Sequence, residues 1–418
     1  MTTTESPFST AVGRPEMPYG WGRVPYAYED RLPWRNLPFP DEEYEARIAR
    51  LNELMREAEL DCVVLWGDRA DGSNIRYLTN FEDFYGGQTI VVISVDGKVG
   101  MTTNAVMHGE PMHSGIQDAW PRDIRCAAAP RTVTGSASAV TVLNHVADFI
   151  REAGSVTAVG LVGPTPTVID DLIADVAPGA STARADDLLA RMRTLKSPLE
   201  VEVMRKACSI ADAGLIAGMG AVAPGVTEFD IAAEANYAMF KAGAEHPSFP
   251  IAVVTGERSG FKHMAPTAEP IKGGDLVYID LGGRYMGYYS DCSRQTVAGE
   301  PSPEQLRLME TQIDIVEAVM AAAKPGVAIG DLAKIGVGMA EETGYAENLY
   351  FRGHGIGCHT HDRPSIAPGN PVELEAGMVF CFEPMLVKFR FGTACWEDIW
   401  HVTPSGVERL NEAPYRFW

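Results

Sequence analysis

The spacing of apolar and polar residues changes along the chain and divides it into three parts. Residues 1–40 are rich in Pro, Tyr and Trp and show no hydrophobic period, which predicts an extended arm. Because disordered segments are usually poor in aromatics, we expect this arm to lie against a domain or a partner subunit. From Asp41 the apolar residues recur at helical spacing, which marks the start of a folded domain.

Helical segments alternate with apolar, β-branched runs from residue 41 to about residue 190. The runs at 62–66, 89–93 and 156–162 are predicted strands, and the alternation predicts an α/β domain over residues 41–190. Ser197 and Pro198 then occupy the positions of an N-cap and a first helical residue before an amphipathic segment. The second domain, residues 191–418, is predicted to open with this helix.

Helices and strands are segregated in the second domain. Helices are predicted at 303–323 and 329–343, and strands at 249–254, 275–281, 288–297, 378–382 and 398–403. Segregation of this kind favours an α+β fold around an antiparallel sheet.

Composition narrows the class of protein. The 418 residues, 46% of them hydrophobic, can bury a large core and favour two domains. A formal charge of −21 argues against duplex nucleic acid or an anionic membrane as a partner and favours small molecules or short peptides.

The opening residues lack the pattern of a signal peptide, and no apolar run approaches the length of a membrane span, so we expect a cytoplasmic protein. Seven scattered cysteines without a CxxC pair predict reduced thiols.

Two aspartates in the second domain are candidates for chemistry. Asp280 and Asp291 would face each other across a ladder if a hairpin near residues 284–287 joins their strands. Carboxylates pressed together inside a sheet repel each other unless a cation or a proton neutralises them. A pair exposed to solvent is the alternative.

A histidine cluster and two glutamates extend this set. His354 stands between glycines, and His359 and His361 follow within eight residues. Glu383 and Glu397 each lie in an apolar or aromatic run, where an ionised carboxylate needs a partner. Taken singly, the histidine could be structural and each glutamate could pair with an arginine. Together, two Asp, one His and two Glu suit a bridged pair of Mn, Co, Zn or Fe ions.

The constellation and its flanking motifs closely resemble the pita-bread metallopeptidases, which include methionine aminopeptidase, aminopeptidase P and prolidase. The segment SNIRYLT at residues 73–79 resembles the N-terminal domain of creatinase-type members. The second domain carries the matching stretches VYIDLGG, GYYSDCSR, GHGIGCHTHDRP, LEAGMVFCFEP and WEDIWHVTPSG. The resemblance covers nearly everything after residue 40 and implies a creatinase-like domain followed by a pita-bread catalytic domain.

The resemblance also implies metal ligands. Asp280 would bind one metal ion, Asp291 and Glu397 would bridge two, and His354 with Glu383 would complete the other. Two divalent ions per chain are expected, with manganese as the first expectation and cobalt, zinc or iron as alternatives.

The same resemblance implies a hydrolase that cleaves a carbon–nitrogen bond, in the manner of a Xaa-Pro dipeptidase or aminopeptidase. A hydroxide that bridges the metal ions would attack the substrate carbon, and Glu383 would carry the proton to the leaving nitrogen. His263 and His361 match the family's catalytic histidines and would stabilise charge on the intermediate. Family members commonly dimerise, so a homodimer is expected.

Cys395 departs from the family pattern, because proline-specific members have an arginine at this position. We expect Cys395 to be a small buried residue and not a nucleophile. The candidate substrate-binding residues are Trp396, Cys395 and His359.

Two further functions stay open. One is a hydrolase or lyase of a small nitrogenous or osmolyte-like metabolite, resembling creatinase, ectoine hydrolase or the dimethylsulfoniopropionate lyase branch. The other is a non-catalytic binding module.

Overall fold

The computed structural model describes residues 28–32, 35–68, 71–82, 88–103, 118–126, 136–261 and 264–418. The chain divides into two compact units, Met1–Met192 and Arg193–Trp418. Most of the predicted N-terminal arm lies outside the described residues. Its described part includes a short helix, α1, at Tyr28–Arg31.

The first unit is built on one mixed sheet with helices. Its strands run in the order β4-β3-β2-β1-β5-β6, in which β1 pairs antiparallel with β2 and parallel with β5. The elements after α1 are α2 (Asp41–Glu57), β1 (Cys62–Gly67), α3 (Ser73–Thr79), β2 (Thr89–Ser94), β3 (Val99–Thr103), β4 (Asp123–Cys126), α4 (Ser136–Glu152), β5 (Ala158–Val162), α5 (Thr167–Val176), β6 (Ser181–Arg184) and α6 (Asp186–Thr194).

Burial in the first unit follows the predicted periodicity. On α2 the residues Tyr44, Ile48, Leu51 and Met55 are all buried, as a helix with one apolar face requires. The central strand β1 is buried along almost its whole length, as expected of a strand covered on both faces. These features confirm the predicted α/β class of the N-terminal domain.

The second unit contains four helices and many short strands among its described residues. The helices are α7 (Pro198–Gly220), α8 (Glu228–Ala242), α9 (Pro303–Ala322) and α10 (Ile329–Thr343), with 3-10 turns at Gly256–Phe261 and Ala346–Asn348. The strands are β7 (His246–Pro247), β8 (Ala252–Thr255), β9 (Leu276–Leu281), β10 (Gly283–Tyr285), β11 (Tyr288–Tyr289), β12 (Cys292–Val297), β13 (Leu349–Tyr350), β14 (Gly353–Gly355), β15 (Asp362–Ser365), β16 (Val379–Phe382), β17 (Met385–Lys388), β18 (Gly392–Ala394), β19 (Asp398–Thr403) and β20 (Gly406–Arg409).

The strand pairings described in the second unit are antiparallel, which confirms the predicted α+β class. Two of its sheets form the site described below: the three-stranded sheet β12-β9-β8 and the five-stranded sheet β15-β14-β16-β19-β20. Helices α9 and α10 contribute Leu308, Val316 and Leu332 to a core that also contains Phe380 and Trp396.

Helix α7 begins where the sequence predicts. The Ser197 side chain accepts a hydrogen bond from the backbone of Glu200, whose side chain accepts one from the Ser197 backbone. This reciprocal capping box satisfies two backbone donors that the first helical turn leaves free. None of the helices in the described parts of the chain is long and apolar enough to cross a membrane.

The prediction of one strand at 288–297 is wrong. The structure has two strands, β11 and β12, separated by Ser290 and Asp291. The Ser290 hydroxyl donates to the Gly283 carbonyl and accepts from the Gly283 amide, at 2.7 and 2.9 Å. The Ser290 amide also donates to the Gly283 carbonyl at 3.1 Å, so side-chain bonds supplement the backbone bond here, and β12 starts directly after Asp291.

Candidate metal centre

The two aspartates lie on paired strands. In the β9–β12 ladder Asp280 is opposite Ser293, and Asp291 directly precedes β12. Both side chains are buried, with 3% and 6% of their surfaces exposed. The predicted hairpin is therefore confirmed, and the alternative of a solvent-exposed pair is wrong.

The histidine and the two glutamates lie on the five-stranded sheet. His354 on β14 is directly opposite Cys381 on β16, and Glu383 follows the end of β16. On its other side β16 pairs with β19, and Glu397 directly precedes β19. Since opposed residues of an antiparallel pair share a face, His354 and Cys381 point to the same side of the sheet.

One backbone bridge joins the two sheets at this point. Ser293 and Glu397 exchange amide-to-carbonyl hydrogen bonds of 3.3 and 3.2 Å. Because Ser293 is also opposite Asp280, the bridge brings Glu397 to the two aspartates.

The side chains meet in a small buried cluster. His354 Nε2 lies 3.7 Å from Asp291 Oδ2 and 3.8 Å from Glu383 Oε1. Potential ligand atoms of Asp291, His354, Cys381 and Glu397 all lie within 4.8 Å of one another. Cys381 is a member of this group that was not predicted from the sequence.

The cluster carries an unfavourable excess of negative charge. Burial raises the pKa of Asp291, and the carboxylates of Asp280 and Glu383 raise it further. The pKa of Glu397 is raised by burial first and then by Asp291 and Glu383. Burial lowers the pKa of His354 to about 4, so its imidazole is neutral near pH 7. Carboxylates that resist ionisation, beside a neutral imidazole, form a donor set that divalent cations would stabilise.

Polar groups behind the cluster fix its backbone. Gln312 on α9 is fully buried, and its amide donates to the carbonyls of Pro384 and Trp396 at 2.7 and 3.2 Å. Arg294 donates to the Glu397 carbonyl at 2.9 Å. Gln312 and Arg294 are supporting residues that were not predicted from the sequence. A glutamine on the apolar face of a predicted helix was the available signal for Gln312.

Of the other predicted histidines, His361 lies beside the cluster. The rings of His354 and His361 have centroids 4.1 Å apart, and His361 is exposed. His359 is partly exposed, and its Nδ1 accepts a hydrogen bond from the His361 amide at 3.1 Å. The predicted catalytic residue His263 lies outside the described residues.

Cys395 and Trp396 are buried. Cys395 has no exposed surface, its sulfur accepts a hydrogen bond from Ser293 at 3.2 Å, and burial raises its pKa well above the ordinary value. It is the small, unreactive residue that the sequence predicts. Trp396 is 1% exposed, packs against Tyr415 and donates its indole hydrogen to Asp398. These positions do not support the predicted contacts of Cys395 and Trp396 with a substrate.

Comparison with known proteins identifies relatives over both units. A model of the creatinase/prolidase N-terminal domain matches residues 47–194, and a model of metallopeptidase family M24 matches residues 202–404. The chain is 35% identical over 237 residues to a putative dipeptidase, YkvY, of Bacillus subtilis, and 34% identical over 232 residues to a Xaa-Pro dipeptidase of Pyrococcus horikoshii. These matches span 56% and 55% of this chain, and 65% and 66% of the relatives, just under two thirds of their length.

A solved structure extends the likeness in three dimensions. The Xaa-Pro dipeptidase from Bacillus anthracis superposes with a TM-score of 0.76 at 26% identity. The superposition covers 89% of this chain and 98% of the other.

Proposed function

Since the chain belongs to the creatinase/prolidase family of pita-bread metallopeptidases, we propose that it is a metal-dependent dipeptidase or aminopeptidase of the Xaa-Pro type. The observation that carries the proposal is a buried cluster of side chains. It consists of Asp291, His354, Glu383 and Glu397, with Asp280 on the adjacent strand. A buried group of this charge is costly in a protein that binds no cation.

The five predicted ligands are assigned to two divalent ions. Asp280 would bind one ion, His354 and Glu383 the other, and Asp291 and Glu397 would bridge them. Oxygen donors with one imidazole suit manganese, and cobalt, zinc and iron are alternatives. Bound ions would supply an activated water and a Lewis acid for the substrate carbonyl.

The chain's own residues would manage protons and charge. Glu383 is the general base, which takes a proton from the attacking water and passes it to the leaving nitrogen. The Arg352 guanidinium donates to Glu383 Oε1 at 2.9 Å and holds that carboxylate in place. His361, exposed beside His354, would donate to the substrate oxygen as charge develops there, and His263 is assigned the second such role.

Substrate choice separates the two enzymatic candidates. The presence of Xaa-Pro dipeptidases among the relatives supports the first candidate, an enzyme that cleaves proline dipeptides. Cys395 favours the second candidate, a hydrolase or lyase of a small nitrogenous or osmolyte-like metabolite, because a buried thiol cannot replace the arginine of proline-specific members.

The test is an assay of chelator-treated protein after addition of manganese, with Ala-Pro and Gly-Pro as substrates and Ala-Ala as the control dipeptide. Cleavage of the proline dipeptides that depends on added metal supports the first candidate. Metal binding without cleavage of any dipeptide supports the second. Metal-independent cleavage, or protein that binds no metal, contradicts the proposal.

We infer that the protein acts as a homodimer, because members of the family that it resembles commonly dimerise. Light scattering after size-exclusion chromatography should give about twice the chain mass. A mass equal to one chain would contradict the dimer.

A further inference from the structure

Cys381 lies inside the candidate metal centre. Its strand, β16, lies between β14 and β19, with His354 opposite Cys381 on one side and Ile399 on the other. Side chains alternate along a strand, so Glu383, two residues further on, faces the same side as Cys381. The thiol therefore shares the face that carries the proposed ligands.

The spacing of the donor atoms is close to that around a single ion. Ligands bound tetrahedrally at about 2.0 to 2.3 Å lie about 3.3 to 3.8 Å apart. His354 Nε2 and Asp291 Oδ2 are already 3.7 Å apart. The group of Asp291, His354, Cys381 and Glu397 is spread over no more than 4.8 Å, so small side-chain movements would bring all four to one ion.

The burial and the surroundings of Cys381 favour a role as a metal ligand over a role in core packing. Cys381 is fully buried, as many structural cysteines are. A structural cysteine usually packs among apolar side chains, whereas this sulfur lies with two carboxylates and an imidazole. Thiolate and imidazole are the donors that zinc and cobalt prefer, and manganese prefers oxygen.

We propose that Cys381 binds, as a thiolate, the metal ion that also contacts Asp291, His354 and Glu397. The proposal rests on the proposed function, because it assigns one more ligand to the same centre. As the metal–sulfur bond forms, the thiol S–H bond breaks and its proton passes to the buffer. The soft ligand shifts the preference of this position from manganese towards zinc or cobalt.

The test uses the full chain, freed of metal with a chelator and then loaded with Co²⁺. A thiolate bound to Co²⁺ gives a charge-transfer absorption band in the near ultraviolet. We compare the wild type with Cys381→Ser and with Cys62→Ser, a control that changes an equally buried thiol on β1 of the first unit. Cobalt content is measured by elemental analysis in parallel.

The wild type and Cys62→Ser are expected to show the band, and Cys381→Ser to bind cobalt and lose it. Cobalt bound by the wild type without the band, or a band unchanged in Cys381→Ser, overturns the thiolate ligand and leaves the proposed function intact. Wild-type protein that binds no cobalt overturns both.

A second measurement does not depend on the folding of a variant. X-ray absorption of the zinc-loaded wild type is expected to show a sulfur neighbour at about 2.3 Å from the metal. A shell made only of oxygen and nitrogen overturns the proposal.

Discussion

Replacement of Arg294 with methionine would remove the central charge of a buried network behind the candidate metal centre. Arg294 and Asp398 are 0% and 1% exposed, and Arg294 Nη2 lies 2.8 and 3.1 Å from the two Asp398 oxygens. Its Nη1 also donates to the carbonyls of Ser293 and Glu397, at 2.7 and 2.9 Å. Methionine keeps most of the side-chain length but provides no donor.

The expected cost follows from what the variant leaves behind. Removing one partner of a buried ion pair typically costs about 3 to 5 kcal/mol. Asp398 would keep its ion pair with Arg409 at 2.9 Å and its indole donor Trp396, which places the estimate at the lower end. We expect the free energy of unfolding to fall by about 3 kcal/mol, roughly a hundredfold in the unfolding equilibrium.

Urea denaturation followed by far-ultraviolet circular dichroism measures this loss. The matched control is Arg416→Met, which removes a two-point pair with Glu310 whose side chains are 46% and 33% exposed. Exposed pairs contribute about 1 kcal/mol or less, so the control should change little. The reasoning is refuted if Arg294→Met lowers the free energy of unfolding no more than Arg416→Met does.

Three other predictions test separate parts of the molecule. Ser197→Ala removes the capping box of α7 and should lower the free energy of unfolding by about 1 kcal/mol in urea denaturation; an effect no larger than that of Ser209→Ala, an exposed change on the same helix, would contradict it. Burial and then Arg125 lower the pKa of His145. Below about pH 6.5 the unfolded chain therefore binds a proton that the folded chain resists, and the free energy of unfolding decreases as the pH is lowered. His145→Gln should weaken this fall, by up to about 1.4 kcal/mol per pH unit, and identical pH profiles would refute the idea. Arg193→Met breaks the 2.7 Å ion pair that holds Asp362 next to His361, and should lower kcat while metal content stays unchanged; unaltered turnover would argue against a positioning role.

Local patterns along the chain were sufficient to predict much of the fold. The apolar period of α10 predicts the bounds 329–343, which are those of the helix, because its buried face is set by residues three and four apart. The interruption between β11 and β12 was not predictable in this way. It depends on hydrogen bonds between the Ser290 side chain and Gly283, which hydrophobic spacing does not report.

In the candidate metal centre, too, some residues could be predicted from the sequence and others could not. Asp280, Asp291, His354, Glu383 and Glu397 were recognisable because charged or imidazole groups stand in apolar or glycine-rich runs of a family motif. Cys381 and Arg294 gave no such signal, since each looks like an ordinary residue of a buried strand. Their positions next to the candidate ligands depend on contacts such as the bridge between Ser293 and Glu397, residues more than a hundred positions apart. A bulky aromatic such as Trp396 could by sequence either line a substrate pocket or pack in the core, and its side chain packs into the core.

The central claim is a buried two-metal centre, and metal stoichiometry tests it most directly. Elemental analysis of manganese-loaded, extensively dialysed protein should give about two metal ions per chain. Asp291→Ala, which removes a proposed bridging ligand, should lose most of this metal while its far-ultraviolet circular dichroism spectrum stays that of the wild type. Wild-type protein without bound metal, or an Asp291→Ala variant that retains the full amount, would contradict the account.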